Sequence, residues 1–387
     1  MPARPARQVT RAGGALVSAD EENRMPADLS RLEPPPADLF VIDAVVHPLN
    51  LDRANVASRY GEQLWQMSYG LHRFLSPPDR VAPQSVYMTD MRPDLLARTM
   101  FEETRTDVAV THTLRLDSWF RDGFVAEAKT VEMVRDNPGR VLGYVGLDPT
   151  GDRGAVLDDL EAQVERLPGA IGVKLYPHQM DPYRRWHADD EVVTAVIERA
   201  RDLGIRTIAI HKALPNGSVP LDPYRVGTDL EVAADAFPDM NFEIIHSGMA
   251  FVEETAMAVG RFPNVYANLE TTTALLYQAP QRFAAALALL LQWGGPEKIL
   301  WGTGCTVVHP QHLIELFWNL ELDERTQEMH GVPPLSPEVK RLILAGNYAR
   351  MTGLSITALQ ERHAGDRYAR ARTEGLKAPW SCWAGTA

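Results

Sequence analysis

Cysteine is nearly absent: only Cys305 and Cys382 occur in 387 residues. Two thiols so far apart set up no disulfide framework, and a reducing cytoplasm is the expected compartment. Long apolar runs are missing as well. No stretch reaches about 18 apolar residues, so no segment is expected to span a membrane. Residues 1–38 hold Pro, Arg and Ala but no apolar core of the signal-peptide kind. Positive charge is in deficit, with 39 bases against 51 acids and a formal net charge of -12. That excludes nucleic acid as an expected partner, because binding phosphates needs a basic surface. No glycine-rich phosphate loop follows the first apolar run, which removes the dinucleotide signature.

What is present is an ordinary globular composition, 45% hydrophobic and 23% charged. Eight short, β-branched runs recur along it, at residues 40–46, 107–112, 140–148, 170–176, 206–211, 241–246, 265–270 and 298–302. Each is too short for a buried helix and reads as a buried strand. Helical patterns alternate with them. Val156, Leu160, Val164 and Leu167 share one face, and residues 283–291, 339–351 and 356–362 are also helical in pattern. Eight strands alternating with helices predict a parallel sheet with right-handed crossovers, closed into a (β/α)8 TIM barrel. The barrel is expected over residues 39–364, between an N-terminal tail at 1–38 and a C-terminal tail at 365–387. A long insertion follows the first strand at 49–106. It carries Trp65, Tyr69, Phe74 and Tyr87 and is expected to be ordered, as a lid or functional insertion.

The chemistry gathers at the strand ends. Four runs end in histidine: His47, His112, His211 and His246. A fifth carries Lys174 close to its end. In a barrel of this type these ends converge on one face, and converging neutral imidazoles suggest a metal site. Each residue also has a bland reading. A lone histidine is more often a hydrogen-bonded core residue, and His112 can simply be a donor behind the ligands. Lys174 is either a buried lysine paired with an acid or an anchor for a substrate carboxylate. Glu270 can cap the threonines that follow it, and Cys305 can be a small buried apolar residue. His178, His187, His309 and His312 fall in loops and are expected to be exposed.

Residues 172–177 (Gly-Val-Lys-Leu-Tyr-Pro), Ile210-His211, Ile245-His246-Ser247-Gly248, residues 299–302 and residues 346–351 together resemble the amidohydrolase-related group of the amidohydrolase superfamily. The resemblance spans about residues 40–354. It implies a metal-dependent barrel acting on small carboxylates as a hydrolase or decarboxylase. Two positions depart from the family pattern. The first-strand Asp-x-His-x-His motif begins at Asp43 and keeps only His47, with Val45 at its first histidine. Gly304 stands where the eighth-strand aspartate belongs. Valine cannot ligate a metal and glycine cannot act as a base. The implied metal ligands are then His47, His211 and His246. His112, Glu270 and Cys305 are possible supplements, and Lys174 and His246 the catalytic pair. Zinc suits such a histidine set.

With the long insertion after His47, residues 111–117 (Thr-His-Thr-Leu-Arg-Leu-Asp) and the Trp380/Trp383 tail, the chain also resembles subunits of two-subunit non-haem di-iron oxygenases of the 2-aminoisobutyrate hydroxylase kind, specifically the subunit with the poorer metal site. This implies a hetero-oligomer in which an intact homologous barrel carries iron and this chain supplies a mononuclear site and an interface. Under this reading Trp380 and Trp383 of the C-terminal tail dock on that partner; the alternative is that the tail folds back on its own barrel. The alternatives are a self-sufficient zinc hydrolase or decarboxylase of a small carboxylate, and a scaffold barrel without chemistry.

Overall fold

The computed structural model describes residues 27–383 apart from 168 and 228. Most of the expected N-terminal tail therefore lies outside the described residues. The eight apolar runs form eight strands: β1 (Ile42–Val46), β2 (Val108–His112), β3 (Val141–Leu147), β4 (Gly172–Leu175), β5 (Thr207–His211), β6 (Asn241–Ile245), β7 (Val265–Asn268) and β8 (Ile299–Leu300). They pair in chain order, every pair parallel. The ring closes where Ala44 N donates to Trp301 O at 2.9 Å and Gly304 N to Val45 O at 3.0 Å. Every residue of β1, β2 and β5 is buried, as expected for strands covered on both faces.

The strands are shorter than the runs that encode them. Phe40 and Val41 drop out of β1, and Asp107 Oδ2 accepts the Val41 N–H at 2.9 Å. At the other ends, His47, Tyr176, His246 and Glu270 leave the ladder and turn into the mouth of the barrel. The helices form where the pattern placed them. In Arg153–Arg166, Val156 and Leu160 are buried, and the Asp152 carboxylate accepts from Gly154 N and Ala155 N at 3.0 and 3.2 Å. The helical pattern at 339–351 carries a π-turn at Leu342–Gly346. The only membrane-relevant fact is that no helix among the described residues is long and apolar enough to cross a bilayer.

The insertion is ordered around helix α1 (Arg59–Leu75). His72, on its buried face, ties α1 to the loop after β8. Its Nδ1–H donates to Val307 O at 2.8 Å, its Nε2 accepts from Ala82 N at 2.9 Å, and its ring stacks on Tyr87. Burial lowers His72 to about 4, so the neutral ring is held in one tautomer. This connection sets α1 over the mouth.

The C-terminal tail corrects an expectation. Trp380 and Trp383 are buried in the chain's own fold, not presented to a partner. The reason is Glu103, at the end of helix Pro93–Glu102. Its carboxylate accepts from Trp380 N (2.7 Å), Cys382 N (2.6 Å) and the Ser381 hydroxyl, and meets His309 Nε2 at 3.1 Å. Trp383 Nε1 donates to Thr99 Oγ1 at 2.9 Å. A buried carboxylate needs several donors, and the tail supplies them.

Candidate active site at the barrel mouth

A cavity of about 80 Å³ lies at the carboxyl ends of the strands. Its walls are mostly apolar, with Leu49, Leu64, Leu71, Leu114, Phe124 and Val307 among them, and α1 contributes two of these leucines. Its polar groups include His47, Lys174, His211, His246 and Glu270, with Ser68, Asn216 and Thr271 beside them. Five of the residues expected at the site are therefore together, each at most 6% exposed.

His112 and Cys305 are not at the cavity surface. His112 lies one layer below, stacked on Tyr144 at 4.2 Å, with its Nε2–H directed to Ala44 O at 3.1 Å. Cys305 is fully buried where the loop after β8 pairs with Val46. Burial raises its thiol far above the ordinary range, with Asp43 and Glu103 adding to that, so it packs rather than reacts. Three of the four loop histidines expected to be exposed are buried. His178 meets Tyr224 Oη at 2.7 Å in a hairpin folded back after β4, and His309 meets Glu103. His309 and His312 begin helix Pro310–Asn319, which packs into the core. Only His187 is half-exposed.

The strand pleat explains Lys174. It sits within β4, in register with Gly146 and Ala209, whose small side chains leave it room. Among the described residues, its Nζ makes no hydrogen bond or ion pair; it lies 5.6 Å from the Tyr176 ring centre. Burial lowers its pKa to about 8, against the pull of Glu270 and Glu243. Of the two sequence readings, the acid-paired lysine is not what the described residues show: Glu270 and Glu243 act on Lys174 through charge without an ion pair. Tyr176 was missed. It stacks on His211 at 4.5 Å. Its position two residues after Lys174, on the same face of an extended chain, was the available signal.

The hydrogen bonds fix which nitrogens face the cavity. His211 Nε2–H donates to Leu214 O at 2.8 Å, leaving Nδ1 with its lone pair. His246 Nδ1 faces two acceptors of Glu270, the main-chain carbonyl at 3.2 Å and carboxylate Oε2 at 2.5 Å, so Nδ1 carries the proton. The carboxylate approaches off the N–H axis and acts through charge rather than an aligned bond. His211 Nδ1 and His246 Nε2 are then left 3.1 Å apart. Two lone pairs at that distance repel unless a proton or a cation lies between them. Burial, with His246 and Lys174 nearby, lowers His211 well below its ordinary value, and burial brings His47 to about 3. Burial pushes Glu270 up, but His246 and Lys174 outweigh it and hold its carboxyl well below the usual range.

This arrangement tests the expected metal. The back nitrogens of both His211 and His246 are given to oxygen acceptors, which is how ligating histidines are oriented. Two donors fit a cation. The third expected ligand, His47, has Nε2 4.0 Å from Glu270 Oε1 and its ring edge-on to His112 at 5.9 Å, and among the described residues its Nδ1 has no hydrogen-bond partner. Among the described residues no three His, Cys, Asp or Glu side chains are set to hold a metal ion. Of the three expected histidines, the structure brings His211 and His246 into contact, and His47 lies on the Oε1 side of the Glu270 carboxylate.

Solved structures share the fold. A TIM-barrel protein of Bordetella bronchiseptica aligns with a TM-score of 0.59 at 19% identity, over 81% of this chain and 99% of its own. An amidohydrolase from Burkholderia multivorans, solved with bound zinc, aligns at 0.50 and 15% identity, over 82% and 100%. A 2,6-dihydroxybenzoate decarboxylase solved with 2,6-dihydroxybenzoate aligns at 0.50 and 13% identity, over 82% and 100%. No curated protein is similar enough in sequence to count as a relative. The amidohydrolase family model matches residues 42–354, most of the chain and all eight strands. The chain belongs to the amidohydrolase family.

Proposed function

We propose that this barrel is an enzyme of the hydrolase or decarboxylase kind, acting on a small carboxylate at the mouth. The observation that carries the reading is Lys174: a buried ammonium with no hydrogen bond or ion pair among the described residues, on the floor of an apolar cavity, beside a histidine pair. A buried cation is costly unless paired, so its partner is expected to arrive with the ligand. The cavity has room for roughly six waters, which sets the substrate's scale at a small organic acid. The zinc-bound and dihydroxybenzoate-bound neighbours support the class of chemistry.

Lys174 grips and orients the carboxylate, and the leucines of α1 exclude water around it. His246 holds or releases a proton at Nε2, and Glu270 balances the charge that develops on its ring. A divalent metal such as zinc, when bound, would act as a Lewis acid on a carboxylate or carbonyl, and His211 Nδ1 and His246 Nε2 would hold it. The oxygenase-subunit reading, with its iron-bearing partner, has no finding behind it. The tryptophans that suggested docking belong to the chain's own core.

The test is turnover by the full chain, with and without added zinc, against a panel of small mono- and dicarboxylates, following carbon dioxide release and hydrolysis. Saturable turnover by this chain alone, lost in Lys174→Met, is expected. If no acid is turned over and none shifts the melting temperature, the barrel is a scaffold and the proposal is wrong.

A further inference from the structure

Gly304 has no side chain, and the space where one would begin is occupied. A Cβ there would lie 2.3 Å from Glu270 Oε1, 3.1 Å from the Glu270 carboxyl carbon and 3.1 Å from Thr271 Oγ1. Gly302, two residues earlier, is tight as well: its Cβ would meet Asn268 Oδ1 at 2.8 Å and Glu270 Cβ at 3.3 Å. The loop after β8 thus forms a bare wall against which the Glu270 side chain rests. The other side of the seat is also built. Thr271 donates its hydroxyl to Glu270 Oε1 at 2.8 Å, and Asn268 Oδ1 accepts the Glu270 N–H at 3.1 Å. The backbone is strained on both sides of the contact: Thr271 has φ 58° and His246 φ 66°, values that non-glycine residues seldom adopt. Seated there, Glu270 puts Oε2 2.5 Å from His246 Nδ1, and the opposite nitrogen of that ring faces His211.

We infer that Gly304 and Glu270 work as one device: the glycine holds open the seat of the carboxylate, and Glu270, by the charge of the seated carboxylate beside His246 Nδ1 and with its main-chain carbonyl on the same nitrogen, is the positioning residue that holds His246 Nε2 toward His211. The inference deepens the active-site reading above and rests on it. It makes the side-chain-free wall of the β8 loop a functional feature. Glu270 acts through His246, not on the substrate. Strain at Thr271 and His246 persists because the neighbouring bonds over-determine both residues.

The test uses the full-length chain and the zinc ion as probe. Four variants are compared: Glu270→Ala, Gly304→Ala, the double variant, and Gly331→Ala. Gly331 also has positive φ, at 63°, but a Cβ there meets nothing within 4 Å. It therefore reports the backbone cost alone. Two readouts are followed: zinc affinity by calorimetry, and the ring-nitrogen NMR shifts of His246 in metal-stripped protein, which report its tautomer.

Glu270→Ala and Gly304→Ala are each expected to weaken zinc by about 10–100-fold, as for loss of an orienting partner behind a ligand. Both should move the His246 shifts the same way, and the double variant should be no worse than either alone. Gly331→Ala should change neither readout. Should Gly304→Ala alone fail to fold, the double variant still decides. With the carboxylate gone, the added methyl has room, and the double variant should melt as far below Glu270→Ala as Gly331→Ala melts below wild type. Additive losses, or a Gly304→Ala variant indistinguishable from Gly331→Ala, overturn the inference. The NMR readout needs neither metal nor substrate, so this device can fail while the carboxylate chemistry stands, and the reverse.

Discussion

The two halves of the barrel mouth are built differently. On the side of β5, β6 and β7, His211, His246 and Glu270 form a continuous chain of contacts of 3.1 and 2.5 Å. On the side of β8 and β1, the residues in the corresponding places are Gly304, Cys305 and Val45, and His47, Leu49 and Val307 reach the cavity. Asp43, a second polar group on that side, is turned to the β8 loop. It accepts from Thr303 N at 3.0 Å and from Thr303 Oγ1 at 2.5 Å, and so ties the β8 loop to β1. Burial raises Asp43 to about 7, opposed by these hydrogen bonds. On the proposed reading, one half positions protons and charge, while the other half closes the barrel. A fold that brings eight strand ends together does not need all eight to carry function.

The comparison breaks first on the rich side. His246→Ala removes the group that faces both Glu270 and His211, and turnover is expected to fall by about 10²–10⁴, the usual range for general acid–base catalysis. His47→Ala on the poor side should cost far less. Steady-state kinetics of the two variants decide it, and equal losses would mean that the halves share the chemistry.

The next effect is at Lys174, between the halves. Its folded-state pKa of about 8 lies below the ordinary lysine value of 10.5. Between those values the unfolded chain binds more protons than the folded one, so this group's contribution to stability rises with pH across pH 8 to 10.5. Below pH 8 the full cost of the buried charge is present. Lys174→Met should therefore stabilise the protein at neutral pH by about 3 kcal/mol while abolishing carboxylate binding, and the gain should vanish above about pH 10.5. Urea denaturation at pH 7 and pH 10.5 checks the first part, and calorimetry with a small acid the second. In the wild type, carboxylate affinity should fall as pH rises through about 8. A variant destabilised at neutral pH would mean that Lys174 already has a partner.

Much of this was legible in the sequence. The eight strands stood out because strands buried on both faces are written as continuous apolar runs. Their ends were less clear, since His246 and Glu270 continue the runs in composition while their backbones turn away. The gathering of His47, Lys174, His211, His246 and Glu270 followed from the barrel alone. Which of them meet did not, because that depends on the Leu214 carbonyl and on the rotamer of Glu270, both set by tertiary contacts. Gly304 read as a missing group, and its use as an open wall is invisible without coordinates. Trp380 and Trp383 misled for a related reason: Glu103, their anchor, lies 277 residues before Trp380 in the chain.

The smallest effect is predicted at Cys305, and it sharpens the contrast most. A cysteine among histidines invites the reading of a metal ligand, and that was one reading of its position. In the structure it is fully buried, and its backbone carbonyl accepts the His47 N–H at 2.5 Å. That bond belongs to the main chain and survives any substitution that keeps the loop in place. The side chain contributes only its volume, so Cys305→Ala should cost about 1 kcal/mol of stability, at the lower end of cavity-forming changes. Turnover and zinc affinity should stay within twofold of wild type, and the native thiol should resist iodoacetamide until the protein unfolds. A tenfold loss of zinc affinity in Cys305→Ala would bring the thiol into the site and erase the division between the two halves.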